Sequence, residues 1–178
     1  MAKLKEKKIA LLVENGFEEE ELTKPRKALD DEGATTHIIS PGNGKVKAWD
    51  HTDWGGEYDV DVELKDAKPD DYDALVLPGG VLNPDKLRRN QQAVDFAKAF
   101  FEKNKLVAVI CHGSQTLIET GLLNGRKMTA YHAIKTDVKN AGAEYYDEEV
   151  VIDRNLISSR NPGDIPAFNR EIIENLAD

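Results

Sequence analysis

The sequence predicts an α/β fold with a mostly parallel sheet, and three observations carry that prediction. Strand and helix signals alternate from end to end, with no repeat, low-complexity tract or Pro/Gly/Ser linker to divide them. Three short runs, Ile9-Ala10-Leu11-Leu12-Val13, Ala74-Leu75-Val76-Leu77 and Leu106-Val107-Ala108-Val109-Ile110, are apolar without alternation, as in strands buried on both faces. Ala93, Phe96, Ala97 and Phe100 fall on one helical face, and Ile165, Phe168, Ile172 and Leu176 repeat that pattern near the end of the chain.

Taken in order, Ile9 to Val13 is the first strand. A helix follows from about Leu22 to Glu32, with Gly33 as its stop. Thr36 to Ser40 reads as the second strand, ended by Pro41-Gly42. Lys45 to Val62 breaks the alternation; it mixes Trp49, His51, Trp54, Tyr58 and two glycines and predicts a hairpin beside the sheet. The third strand, Ala74 to Leu77, runs directly into Pro78-Gly79-Gly80, and the helix carrying Ala93 to Phe100 packs back on the sheet. Leu106 to Ile110 is the fourth strand. Val150 to Ser158 has strand residues on both sides of Asp153-Arg154-Asn155 and predicts a hairpin. The last helix is docked by its apolar face.

At 178 residues, the expectation is one domain, residues 1–178, with one sizeable core. The formal charge of −9 argues against nucleic acid or an anionic membrane as partner, because both need basic patches. A single Cys forms no internal disulfide, so nothing points to an oxidising compartment. The basic start, Met1 to Lys8, is followed by an apolar run too short for a signal-peptide core or a membrane span. A cytoplasmic protein is expected.

That one cysteine, Cys111, follows the fourth strand in Ile110-Cys111-His112-Gly113-Ser114, ahead of the helix formers Gln115 to Thr120. A nucleophile at the carboxyl end of a strand and the amino end of a helix occupies a nucleophile elbow, with Cys in place of Ser. The helix dipole and free N–H groups there favour a thiolate. The backbone N–H of His112 supplies one oxyanion donor. The glycine turn Gly79-Gly80, at the same sheet end, supplies another, since a glycine lets the backbone approach a substrate oxygen.

Of the four histidines, His37 lies in a strand, His51 in the polar excursion and His132 beyond the elbow; none has metal-site spacing, so no metal is expected. No His follows His132, which argues against a glutaminase with a late His-x-Glu pair. Glu18-Glu19-Glu20-Glu21 follows the first strand, at the sheet end where open α/β folds bind ligands, and one of these carboxylates could reach Cys111 as an acid–base group.

These residues together resemble the ThiJ/PfpI superfamily, PfpI branch, over nearly the whole chain. The resemblance rests on Gly16-Phe17-Glu18-Glu19, Ala74 to Gly80 and Ala108 to Gly113, and also on Gly125-Arg126-Lys127-Met128-Thr129, Asn140 to Glu144 and Ser158 to Asp164. It implies a flavodoxin-like three-layer α/β/α sandwich of the class I glutamine amidotransferase type. It implies that Glu18 hydrogen-bonds the Cys111 thiol, and that His112 pairs with an acid from a neighbouring subunit, for which Asp85 holds the matching place. A homodimer or higher homo-oligomer, with the site at its interface, follows from that. Ser114 stands where family members commonly have Pro, and Asp85 is the shorter of the two acids found at its position.

The function this implies is a cofactor-free, cysteine-dependent enzyme acting on α-oxoaldehydes or early glycation adducts, of the glutathione-independent glyoxalase or deglycase type. A PfpI-type intracellular cysteine peptidase is the alternative, its substrate a peptide rather than a small carbonyl compound. A redox-sensing or chaperone-like stress protein, with Cys111 oxidised to a sulfinic acid, is the third.

Overall fold

A computed structural model describes residues 1–177. Its centre is a seven-stranded sheet. The strands are β1 (Lys8–Leu12), β2 (Thr35–Ser40), β5 (Val62–Glu63), β6 (Ala74–Leu77), β7 (Leu106–Ile110), β10 (Val151–Asp153) and β11 (Leu156–Ser159). Their order across the sheet is β10-β11-β7-β6-β1-β2-β5, and every neighbouring pair is parallel except β10 with β11. The three unalternating apolar runs, β1, β6 and β7, lie side by side in the middle, where both faces are covered.

Alternate residues of these strands feed two cores. Ala10, Leu12, Leu75, Leu77, Val107 and Val109 face one layer, built from α2 (Leu82–Arg88), α3 (Gln91–Glu102), α4 (Ser114–Ile118) and α5 (Lys135–Asn140). Ile9, Leu11, Ala74, Val76, Ala108 and Ile110 face the other, formed by α1 (Glu19–Asp31), α6 (Ile165–Ala177) and the hairpin of β3 (Lys45–Asp50) with β4 (Asp53–Asp59). This is the expected three-layer α/β/α sandwich. The predicted helical faces are the packed ones: Ala93, Phe96, Ala97 and Phe100 lie in the first core, and Ile165, Phe168, Ile172 and Leu176 in the second. Each fully buried large apolar side chain contributes about 1.5–3 kcal/mol.

The chain differs from its sequence reading at a few boundaries. Helix α1 starts at Glu19 rather than Leu22, because Glu19 and Glu21 find partners inside the protein instead of in water. The short α2 and α5, and the two-residue pair β8 (Lys127–Met128) with β9 (Glu144–Tyr145), carry too little periodicity to be read from sequence. Among the described residues no helix is long and apolar enough to cross a membrane.

Candidate active site

The carboxyl ends of β1, β6 and β7 converge on a cavity of about 530 Å³ whose lining includes Glu18, Glu21, Gly80, Cys111, His112 and Tyr131. Strand β7 delivers Cys111 at its end, where the backbone turns with φ +61 in the left-handed region that few non-glycine residues adopt. A single 3₁₀ turn, Cys111–Gly113, follows before the five-residue α4. That forced turn has the strand–turn–helix geometry expected from the sequence.

The glycine turn after β6 lies against it. A Cβ on Gly79 would stand 2.7 Å from Glu21 Oε1 and 2.8 Å from Cys111 Cβ, so only glycine fits between these two groups. Gly80 has φ +80, and a Cβ there would meet Gly16 O at 2.5 Å. This contact locks the β6 turn onto the loop after β1. The backbone N–H groups of Gly80 and His112 both bond the Cys111 sulfur and pull its pKa down. The sequence reading assigns these two groups to a substrate oxygen, and the structure sets them beside the sulfur.

The carboxylate beside the thiol is Glu21, and this corrects the role given to Glu18. Glu21 is fully buried, accepts a hydrogen bond from Gly79 N at 3.1 Å, and is coupled through its side chain to Cys111. Its other oxygen, Oε2, has no hydrogen-bond partner. Glu18 instead precedes the helix and turns outward. Its Oε1 accepts the His51 backbone N–H at 3.1 Å and lies 3.5 Å from His51 Nδ1. The helix itself makes the selection: Glu21, Pro25 and Leu29 share the buried stripe at four-residue spacing, while Glu18 lies before its first turn. That stripe becomes legible only once the start of α1 and its roll against the sheet are known.

Electrostatics also reverses one expectation. Burial, then the negative charge of Glu21, pushes the Cys111 thiol well up, outweighing the two N–H donors and the short helix behind it. Burial, with a further contribution from Glu18, raises Glu21 from 4.5 to about 8. Two negative charges do not share so dry a space, so the pair carries one at a time. The thiolate therefore exists when Glu21 keeps its proton and donates it as a hydrogen bond.

His112 Nδ1 lies 3.3 Å from Cys111 Sγ. Partial burial, then the charge of His132, lowers the His112 pKa, which favours the neutral imidazole. Its ring stacks on Tyr131 at 4.6 Å, and Tyr131 stacks on His132 at 4.4 Å on its other side. Sequence reading missed Tyr131 and His51, because both reach the pocket from loops with no motif of their own. Asp85 is exposed in the first turn of α2. Glu18, Glu20 and His51 bring ligand-type atoms within 4.8 Å of one another at the rim; sequence spacing did not show this group. Contacts within the group account for the geometry, since His51 Nε2 lies 3.2 Å from Glu20 Oε1 while its Nδ1 faces Glu18.

Comparison with known proteins agrees with the fold. The chain is 45% identical over 165 residues to YraA of Bacillus subtilis, covering 93% of this chain and 95% of that protein. It is 44% identical over 167 residues to the deglycase PfpI of Pyrococcus furiosus, covering 94% and 98%. A solved two-domain protein of Anabaena variabilis, with DJ-1/ThiJ/PfpI-like and ferritin-like domains, superposes with a TM-score of 0.91 at 40% identity, over 96% of this chain and 48% of that one. The family model for DJ-1/PfpI matches residues 7–175, and with these relatives it shows that the chain belongs to the DJ-1/PfpI family.

Proposed function

We propose that this family member is a cofactor-free enzyme in which the Cys111 thiolate adds to the carbonyl of α-oxoaldehydes or of early glycation adducts. The observation that carries the reading is the convergence on one sulfur of a buried, proton-holding carboxyl, two backbone N–H donors and a neutral imidazole. The cavity has the size of small-molecule sites rather than of an extended peptide cleft. The deglycase name of a relative at 44% identity supports the same chemistry.

With methylglyoxal, the sulfur bonds the aldehyde carbon and the oxygen takes the proton held by Glu21, giving a hemithioacetal. The Glu21 carboxylate, or the neutral His112, then removes the hydrogen from that carbon, and the electron pair moves to form an enediol. Protonation of the adjacent carbon leaves a lactoyl thioester. Water cleaves it to lactate and restores the thiol. The Gly80 and His112 N–H groups stabilise the oxygen charge that develops beside the sulfur. In this reading the exposed Asp85 orients His112 of a neighbouring subunit in a homo-oligomer.

The test is methylglyoxal consumption and lactate formation without glutathione, in wild type, Cys111→Ser and Glu21→Ala. Loss of about 10²-fold or more in both variants supports the mechanism. No lactate from folded wild type overturns it. The name of YraA provisionally assigns that relative to the cysteine proteases, which supports a peptidase as the second reading. Cleavage of fluorogenic peptides by wild type but not Cys111→Ser would select it.

A further inference from the structure

We propose that the mouth of the Cys111 pocket is a cation subsite. The carbonyl substrates it favours carry a positive charge near the electrophilic carbon, as amine-borne adducts do, and those carrying a carboxylate are disfavoured. The substrate part of this inference rests on the function proposed above; the charge preference does not.

Three observations point the same way. The residues lining the cavity include Glu18 and Glu21 but no Lys or Arg, so a carboxylate entering it meets no permanent cation. At the rim His51 sits among Glu18, Glu20 and Asp50, at 3.5, 3.2 and 3.8 Å. Lys24 meets Glu20 at 2.6 Å from the outer side. With these carboxylates ionised, the three negative charges less Lys24 leave −2 when His51 is neutral and −1 when it is protonated; the rim stays negative either way. Trp49 lines the same wall and adds an aromatic surface, and ring faces attract cations.

The third observation lies deeper. Glu21 lies at the floor of the pocket, is fully buried, and its Oε2 has no hydrogen-bond partner. When Glu21 is ionised, its charge draws an ammonium or iminium toward the floor and repels a substrate carboxylate. Floor and mouth therefore select in the same sense.

Cys111 is the sole cysteine, so thiol chemistry on the intact protein reports this site alone. The probes are aminoethyl, ethyl and sulfonatoethyl methanethiosulfonate, matched in size and carrying positive, zero and negative charge. In each reaction the Cys111 sulfur bonds the reagent's sulfenyl sulfur, the bond to the sulfonyl sulfur breaks, and methanesulfinate leaves. Intact mass reads the rate, normalised to the same reagent on N-acetylcysteine.

The expected normalised ratio of cationic to anionic rate constants is on the order of 10 or more, in the range of electrostatic focusing by charged clefts. It falls at high salt and in both Glu18→Gln and Glu20→Gln. A wild-type ratio of one or less overturns the proposal, as does a ratio that neither salt nor substitution lowers. Should Glu18→Gln fold poorly, Glu20→Gln and the salt series decide alone, since Glu20 is in contact with solvent. The charge ratio and lactate formation are separate readouts, so failure of one leaves the other standing.

Discussion

Replacing Glu21 by Gln tests the central electrostatic argument through stability alone. Glu21 is fully buried, and burial is the largest cause of the rise of its pKa from 4.5 to about 8. An unfolded chain loses this proton near 4.5 and the native protein keeps it to about 8, so between those values the native state holds one proton more. Native stability therefore falls as pH rises through this window, and the loss is complete above it. Each tenfold change in proton affinity is worth 1.36 kcal/mol, so the full loss is about 5 kcal/mol. The amide introduced by Glu21→Gln is neutral throughout and escapes it. Thermal unfolding of both proteins from pH 5 to 9 gives the comparison, and the other titrating groups cancel in the difference. At roughly 2–4 °C per kcal/mol for a chain of this size, the variant gains about 10–20 °C on wild type between the acid and alkaline ends. Lactate formation falls in the same variant, because the amide has no proton to exchange. Parallel melting curves across the whole range would refute the reasoning, since they would mean that Glu21 ionises at the same pH folded and unfolded.

The other predictions concern the parts that hold this pair in place. Gly79→Ala puts a methyl group 2.7 Å from Glu21 Oε1 and 2.8 Å from Cys111 Cβ; it costs about 1–3 kcal/mol in denaturant unfolding and lowers kcat by separating the two groups. His132→Gln removes the electrostatic influence that, after burial, lowers the His112 pKa, so His112 protonates more readily and the acid limb of the pH profile of kcat/KM moves to higher pH. Arg126, largely buried, binds Asp153 Oδ2 and O and Asn155 Oδ1 at 2.7–2.9 Å. Arg126→Ala removes these bonds but leaves Asp153 with the Lys127 N–H and Arg154, so it costs about 1–3 kcal/mol of stability while the thiol's alkylation rate stays near wild type.

Local pattern was enough for the layers, the strands and the elbow. Apolar runs of four or five residues specify strands covered on both faces wherever the chain puts them, and Phe96, Phe100, Phe168 and Ile172 face the sheet because 3.6-residue spacing leaves them no other common direction. Cys111 was legible for the same reason: a strand that stops abruptly at Cys-His-Gly must turn there. The glycine turn was legible as a turn, although its fit between Glu21 and Cys111 was not.

Tertiary structure alone decided which of four consecutive glutamates serves the thiol. Adjacent helical residues point about 100° apart, so the choice among Glu18 to Glu21 depends on where α1 begins and how it rolls against the sheet. Packing of Leu22, Pro25 and Leu29 fixes that roll and carries Glu21 inward, while the β3–β4 hairpin takes up Glu18 and Glu19. The thiol's proton affinity was likewise decided in space. A helix N-terminus was expected to lower it, but burial beside a carboxyl raises it, because desolvation depends on everything packed around the sulfur and not on the residues next to it in the chain.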